Sequence, residues 1–462
     1  MFIRYCCVSA LALLLSLCCL PAKAQVKSLP LKDLLSAVRN YSPSLQTDSV
    51  AIAIREAQEM ATKSNRLPSL RLNYQVDAGT NNNLPGGYFA NGIVPANSRV
   101  RVEGNTSTGL GDLGVAGFDW EVYNFGKFDA EKKAAHADVE VERARFARSK
   151  YEVQAYAINS YLQLLRLQNL LHIQSLNIDR NKEIRQSIQS LARSGIIAGV
   201  DTSIAEAELS KSRLNYLELT SQFRQVQLSL SAISGLKPDA ILPDTSFAVQ
   251  LTQYYKDDQP QDMDTMSHPA INFYRSAYNN SLVREELIRK SYNPKVSVQA
   301  ALWARGSSIS AADEFRELSK GLGFERGNYL VGVGVTYNIF DAKRKRLQLN
   351  TQKANTSYVA KELEEQTSLL NLSIEQANAA LQIAQERLQE IPHQLEAAQA
   401  AYRQKLSLYK NGLTNIVDLN AALSILYRAE TDFTNANYSY CKALLQKAVN
   451  ENQVDALLNA LK

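Results

Sequence analysis

Cysteine is nearly absent from the body of this 462-residue chain. Four of the five (Cys6, Cys7, Cys18 and Cys19) fall in the first nineteen residues, which leaves Cys441 alone. A single cysteine closes no internal disulfide and supplies no cysteine pair for a structural zinc site. Histidine is scarce too: His136, His172, His268 and His393 are scattered, with no H-E-x-x-H to set two of them on one helix face. An excess of one charge is also lacking. The formal charge is +5, and losing Arg4 and Lys23 with the N-terminal segment leaves +3, too balanced to mark a nucleic-acid binder. Beyond residue 20 no apolar run approaches the roughly 20 residues of a spanning helix. If the protein enters a membrane, it does so with strands. Gly109-Leu110-Gly111-Asp112-Leu113-Gly114 has the formal spacing of a dinucleotide fingerprint, yet it reads as loop leading into strand rather than strand leading into helix. Neither a phosphate loop nor a hydrolase elbow is present. The expectation is a non-enzyme with no catalytic, cofactor-binding or metal-ligating residues.

What is there begins with a leader. Arg4 precedes the apolar run from Val8 to Leu20, and Ala22-Lys23-Ala24 stands just before Gln25. A short apolar run that ends in small-x-small is a secretory signal peptide at 1–24. An uncleaved anchor is the alternative. So is a lipid attached at Cys18 or Cys19, although Leu17 fills the place where a small residue usually precedes a lipidated cysteine.

The mature chain then repeats itself. Asn40 to Leu45 (N-Y-S-P-S-L) answers Met266 to Ile271 (M-S-H-P-A-I), and Leu67-Pro68-Ser69-Leu70 answers Asn293-Pro294-Lys295-Val296. Tyr123-Asn124-Phe125 answers Tyr337-Asn338-Ile339-Phe340, and Gly195 through Asp201 answers Gly412 through Asp418. This divides the chain into a first repeat at 25–235, a linker at 236–265, a second repeat at 266–450 and a tail at 451–462.

Each repeat reads as helix, strand, loop, strand, long helix, tight turn, helix. Leu363, Thr367, Leu370, Ile374, Ala377, Leu381, Ala384, Leu388 and Ile391 step by fours and threes, a heptad seam. Leu209, Ser212, Tyr216, Leu219, Phe223, Val226, Leu230 and Ile233 do the same in the partner helix. Lys127 to Arg193 predicts one helix of about 100 Å at 1.5 Å per residue. Leu31 to Asn65 and Asp201 to Ser234 predict the two shorter helices beside it. Pro392 predicts a break or kink in the second long helix.

Four short strands complete the pattern. Leu70, Leu72, Tyr74 and Val76 alternate with Arg71, Asn73, Gln75 and Asp77, while Phe118, Trp120 and Val122 alternate with Asp119, Glu121 and Tyr123. Val296, Val298, Ala300 and Leu302 share one side of the third, and Val331, Val333, Val335, Tyr337 and Ile339 one side of the fourth. About ten residues with one apolar face suit a tilted membrane strand. Four strands cannot close a barrel in lipid, where about eight are needed, so three copies giving twelve are expected. Long loops, Gly79 to Asp112 and Arg305 to Asn328, join the strands on one side.

The Y-N-F-G-K and Y-N-I-F-D-A-K-R junctions, with the tips S-G-I-I-A-G-V-D and Y-K-N-G-L-T-N-I-V-D, resemble the TolC family of outer-membrane efflux proteins over nearly the whole mature chain. That resemblance implies a mainly α fold with a long coiled-coil α-barrel and a membrane β-barrel, four strands per protomer making twelve in a homotrimer. It implies location in the outer membrane with a periplasmic extension, and partners in a periplasmic adaptor and an inner-membrane pump or exporter. The efflux duct has an alternative in a protein-secretion outlet, and less so in a periplasmic coiled-coil spacer. By resemblance, Asp201 and Tyr409 form a hydrogen-bonded latch, and Asp418 lines a constriction as a ring of three carboxylates favouring cations. Each acid also reads as a helix cap. Gly195, Gly199, Gly412 and Thr414 mark the tip turns and the adaptor contact. Thr414 replaces the family's arginine, so no charged second link is implied.

Overall fold

The computed structural model describes residues 28–82, 103–194, 199–247, 251 and 267–460. The expected leader at 1–24, most of the first long loop and most of the linker lie outside the described residues. The elements are α1 (Leu31–Tyr41), α2 (Pro43–Ser64), β1 (Ser69–Thr80), β2 (Thr108–Tyr123), α3 (Lys127–Arg193), α4 (Gly199–Ser234), α5 (Pro269–Ser291), β3 (Lys295–Ser307), β4 (Arg326–Thr336), α6 (Asp341–Lys410), α7 (Ile416–Asn450) and α8 (Val454–Ala460). Short 3-10 turns cover Pro238–Ala240 and Leu318–Leu322. The long helix expected from Lys127 to Arg193 has those bounds.

One expectation needs correction. The helix expected from Leu31 to Asn65 is broken at Ser42, whose ψ of 118° is extended. Proline disfavours the helical region for the residue before it but is at home in the first helical position, so Pro43 ends one helix and starts the next. In the second repeat Pro269 likewise takes the first position of a helix, and His268 Nδ1 accepts from Ala270 N at 3.2 Å. Helix α6 continues through Pro392 for 70 residues, so the proline does not end it. Its neighbours on the seam carry it across: Ile374, Ala377, Leu381, Ala384 and Ile391 are all buried.

The chain forms two compact units. One contains the chain up to Ala51, with Arg143–Arg275 and Glu362–Lys462. Its larger core gathers Leu34, Ile158, Leu164, Leu230, Ile241, Leu251 and Leu445 from four helices and the linker. Tyr161, fully buried, ties the linker in: its Oη donates to Leu29 O at 2.8 Å and accepts from Asp244 N at 2.8 Å. Burial pushes this phenol up to about 12. Lone Cys441 sits in the same core, its thiol likewise pushed up to about 12 by burial.

The other unit is Ile52–Glu142 with Ser276–Lys361. Its sheet is antiparallel in the order β1-β2-β3-β4, so among the described residues both outer strands have a free edge. Leu70 pairs with Phe118, Phe118 with Ala300 and Ala300 with Val331. Directly opposed residues share a face, so the expected apolar positions within the strands lie together up to a bulge between Glu121 and Tyr123, past which Tyr123 and not Val122 stands opposite Val296. That face is open to solvent in the protomer, with Leu72 78% and Val333 72% exposed. Strand β4 ends at Thr336, so Tyr337 and Ile339 belong to the junction and not to the strand. Residues 108–112, expected in the loop, extend β2 and pair with Thr80 back to Val76. The Gly109–Gly114 spacing is therefore strand. Beneath the sheet, Asp138 of α3 accepts from Asn280 at 2.6 Å and pairs with Arg284 at 2.7 Å, both on α5.

Candidate functional site

The candidate site is the pair of helix-turn-helix tips, all of it in the first unit. The second tip is fully described. Helix α6 ends in a Schellman turn: Leu413 N donates to Leu408 O at 2.9 Å and Gly412 N to Tyr409 O at 3.0 Å. Gly412 takes φ +70°, the left-handed conformation the motif demands, and nothing stands within 4 Å of where its Cβ would be. The glycine is thus selected by backbone angle and not by space. Asn415 then caps α7, its Oδ1 accepting from Asp418 N at 2.8 Å.

Asp418 is therefore not the cap. Its carboxylate is free to reach back across the turn, where Oδ2 accepts from Lys405 Nζ and from Thr414 Oγ1, both at 3.0 Å. The hydrogen bond from Lys405, then that from Thr414, holds the acid below its ordinary pKa. Both charged side chains are wet, Lys405 39% and Asp418 46% exposed. The bare carboxylate expected here is instead a paired one. Lys405 and Asp418 make a charged link within the second hairpin, with Thr414 as a neutral third member. Sequence reasoning missed Lys405, yet a hairpin folds positions symmetric about its turn onto each other: Lys405 lies six before Asn411 and Asp418 six after Gly412.

The expected Asp201–Tyr409 hydrogen bond is not made in the protomer. Tyr409 is 6% exposed in a core with Ile188, Ala205, Tyr402, Ile416 and Leu419. Its Oη is buried without a hydrogen-bond partner among the described residues. Desolvation is the main cause of its raised pKa, and the charge of Asp201 adds to it. The two groups are thus electrostatic neighbours without a hydrogen bond between them. Gly199 opens α4, with open space around its Cβ position. Gly195 lies outside the described residues.

Two further contacts, not anticipated from the sequence, join the helix pairs above the tips. Arg180 of α3 makes a two-pronged ion pair with Glu430 of α7, Nη1 to Oε2 at 2.8 Å and Nη2 to Oε1 at 2.7 Å. Arg166 Nε donates to Asn435 Oδ1 at 2.8 Å and its guanidinium stands 5.3 Å from the Tyr438 ring centre. Planar two-pronged pairing fixes orientation as well as charge. Among the described residues no group of three or more His, Cys, Asp or Glu side chains is gathered to hold a metal ion.

The sequence profile of the outer membrane efflux protein family matches residues 34–236 and 284–447. Comparison by sequence with curated proteins gave no match. The fold is similar to that of the outer-membrane channel OprN, at 18% identity and a TM-score of 0.71 over 92% of this chain and 90% of that one. It is also similar to the Campylobacter jejuni CmeC outer membrane channel (14%, TM-score 0.72, 94% and 89% covered). The open state of the Neisseria gonorrhoeae MtrE outer membrane channel is a third (17%, TM-score 0.69, 92% and 89% covered). With two duplicated helix-strand repeats, a four-stranded sheet apolar on one face and a profile match over most of its length, the chain belongs to the outer membrane efflux protein family and is an outer-membrane efflux channel.

Proposed function

We propose that this chain works as a homotrimeric, gated exit duct: three sheets close one twelve-stranded barrel in the outer membrane, and the helices carry the conduit into the periplasm to meet an adaptor and an inner-membrane pump. The observation that carries the assembly is the sheet itself. Strands β1 and β4 each have a free edge, while the outward residues are aliphatic or aromatic. Unpaired edge groups in lipid cost several kcal/mol each, and joining β4 of one copy to β1 of the next satisfies them all. The leader at 1–24 would direct export. No covalent chemistry is needed for this role.

The tips are the gate in this reading. Lys405, Asp418 and Thr414 stiffen the second hairpin, Arg180–Glu430 ties it to the first, and Tyr409 with its electrostatic neighbour Asp201 forms the latch. Gly195, Gly199, Gly412 and Thr414 would shape the surface an adaptor touches. Single-channel recording tests the gate: Arg180→Ala, Asp201→Ala and Tyr409→Phe should each raise conductance of the reconstituted channel. Conductance equal to wild type in all three would remove the latch from the account while leaving the duct intact.

A further inference from the structure

Within the unit that holds the sheet, the helices stand in a row. Arg55 of α2 pairs with Glu142 of α3 at 3.6 Å, and Asp138 of α3 with Arg284 of α5 at 2.7 Å. Ser281 of α5 then meets α6, its Oγ accepting from Gln352 Nε2 at 2.9 Å and standing 2.9 Å from Thr356 Oγ1. The row is therefore α2-α3-α5-α6, with α2 and α6 at its ends. Strand β1 follows α2 and β4 leads into α6, so the same two flanks carry the outer strands of the sheet.

The internal repeat gives each contact in this row a counterpart. Pro43 and Pro269 are as far apart in sequence as Pro68 and Pro294, so α2 aligns with α5 without insertion. Phe128-Asp129-Ala130 answers Phe340-Asp341-Ala342, which aligns the first turns of α3 and α6. Arg55 then matches Ser281, and Glu142 matches Ala354. Arg55 touches Glu142, while Ser281 touches Gln352 and Thr356, the residues on either side of Ala354. The α2–α3 and α5–α6 contacts thus agree to within one helical turn. The counterpart of the α3–α5 contact would join α6 to α2, the two ends of the row. Asp138, Asn280 and Arg284 match Asn350, Ile54 and Gln58.

Exposure marks the same two faces. One and two turns before Asp138 on its face, Ala134 and Ala130 are buried. Their matches on α6, Arg346 and Ala342, are exposed, as are Asn350, Lys353 and Ser357 further along that stripe. On α2, Ile54 is 53% exposed, and Gln58, one turn on, is exposed too. We propose that these faces meet between copies: α6 of one protomer lies along α2 of the next in the register of α3 on α5, with Asn350 against Ile54 and Gln58. Gln58 Oε1 accepts from Arg55 Nη1 at 2.9 Å, which leaves its amide nitrogen to donate to Asn350. An uncharged contact between copies thereby takes the place of the ion pair within one. Two different faces that join head to tail close a ring when the rotation between copies allows it. The inference rests on assembly into trimers and adds which residues meet.

Cysteine cross-linking of the full-length protein in detergent tests the register. Asn350→Cys combined with Ile54→Cys should give covalent dimers and trimers on mild oxidation. Neither single variant should, since the remaining thiol, Cys441, is buried. Asn350→Cys combined with Thr62→Cys, displaced about 12 Å along α2, should stay unlinked. A charge swap reads the same contact without a covalent bond. Asn350→Asp with Gln58→Asp should make the trimer dissociate roughly fivefold more readily than Asn350→Asp with Gln58→Arg, which rebuilds the internal ion pair. A trimer by mass that does not link through positions 350 and 54, or that links through position 62 instead, would overturn the register and leave the assembly standing. A monomer by mass would remove both.

Discussion

Lys405 and Asp418 show how a residue's role depends on what its hairpin folds it against. As one acid near a pore, Asp418 suggests a cation filter; held at 3.0 Å by Lys405 Nζ, it contributes a neutral pair. The reconstituted channel should therefore be only weakly cation-preferring, and Lys405→Met should shift the reversal potential further toward cations. An unchanged reversal potential would show that the pair lies away from the ion path. The sign of the pH effect follows from the depressed pKa. Stability from this link is present above the unfolded carboxylate's pKa and is lost as pH falls through the lower folded value, so the tip should loosen in acid. Gly412→Ala puts a Cβ on a φ of +70°, costing about 1 kcal/mol. Hydrogen exchange at the turn should then quicken roughly fivefold. Asp418 and Gly412 were legible as sequence because turn chemistry is local. Lys405 needed the hairpin's fold-back symmetry, and the orphaned Tyr409 hydroxyl needed the packing of the core around it.

At the scale of elements, the heptad seams and the strand alternation carried most of the fold, since each periodicity is imposed by one buried face. What they could not carry was backbone exceptions. Pro43 breaks a helix while Pro392 does not: the first finds a helix start to occupy, and the second sits amid a seam that holds the helix on both sides. The seam of the first hairpin also hides a polar cluster. Gln174 Nε2 donates to Ser212 O at 2.7 Å, and Asn177 and Asn181 donate to Ser212 Oγ at 3.3 and 3.1 Å. All four are buried, whereas the matching position of the second repeat, Ala429, is apolar. Buried amides bonded to one hydroxyl fix the register of α3 against α4, as a polar seam residue does in coiled coils. Ser212→Ala should cost about 1–3 kcal/mol by stranding those donors. Denaturant unfolding of the reconstituted protein checks this, and a midpoint equal to wild type would make the cluster ornamental.

For the whole molecule, the duplication and the one-faced strands made the class readable, because a sheet with two free edges and an apolar face has few places to be. Among the described residues the protomer leaves the outer edges of β1 and β4 unpaired and large apolar residues of its helices, such as Leu217 and Ile383, exposed, which is why assembly is the central claim. The most direct test is the mass of the detergent-extracted protein, taken with its conductance in a planar bilayer. A trimer carrying small, stable currents is the predicted result. A monomer, or a trimer that passes no ions even with Arg180→Ala, would contradict the duct.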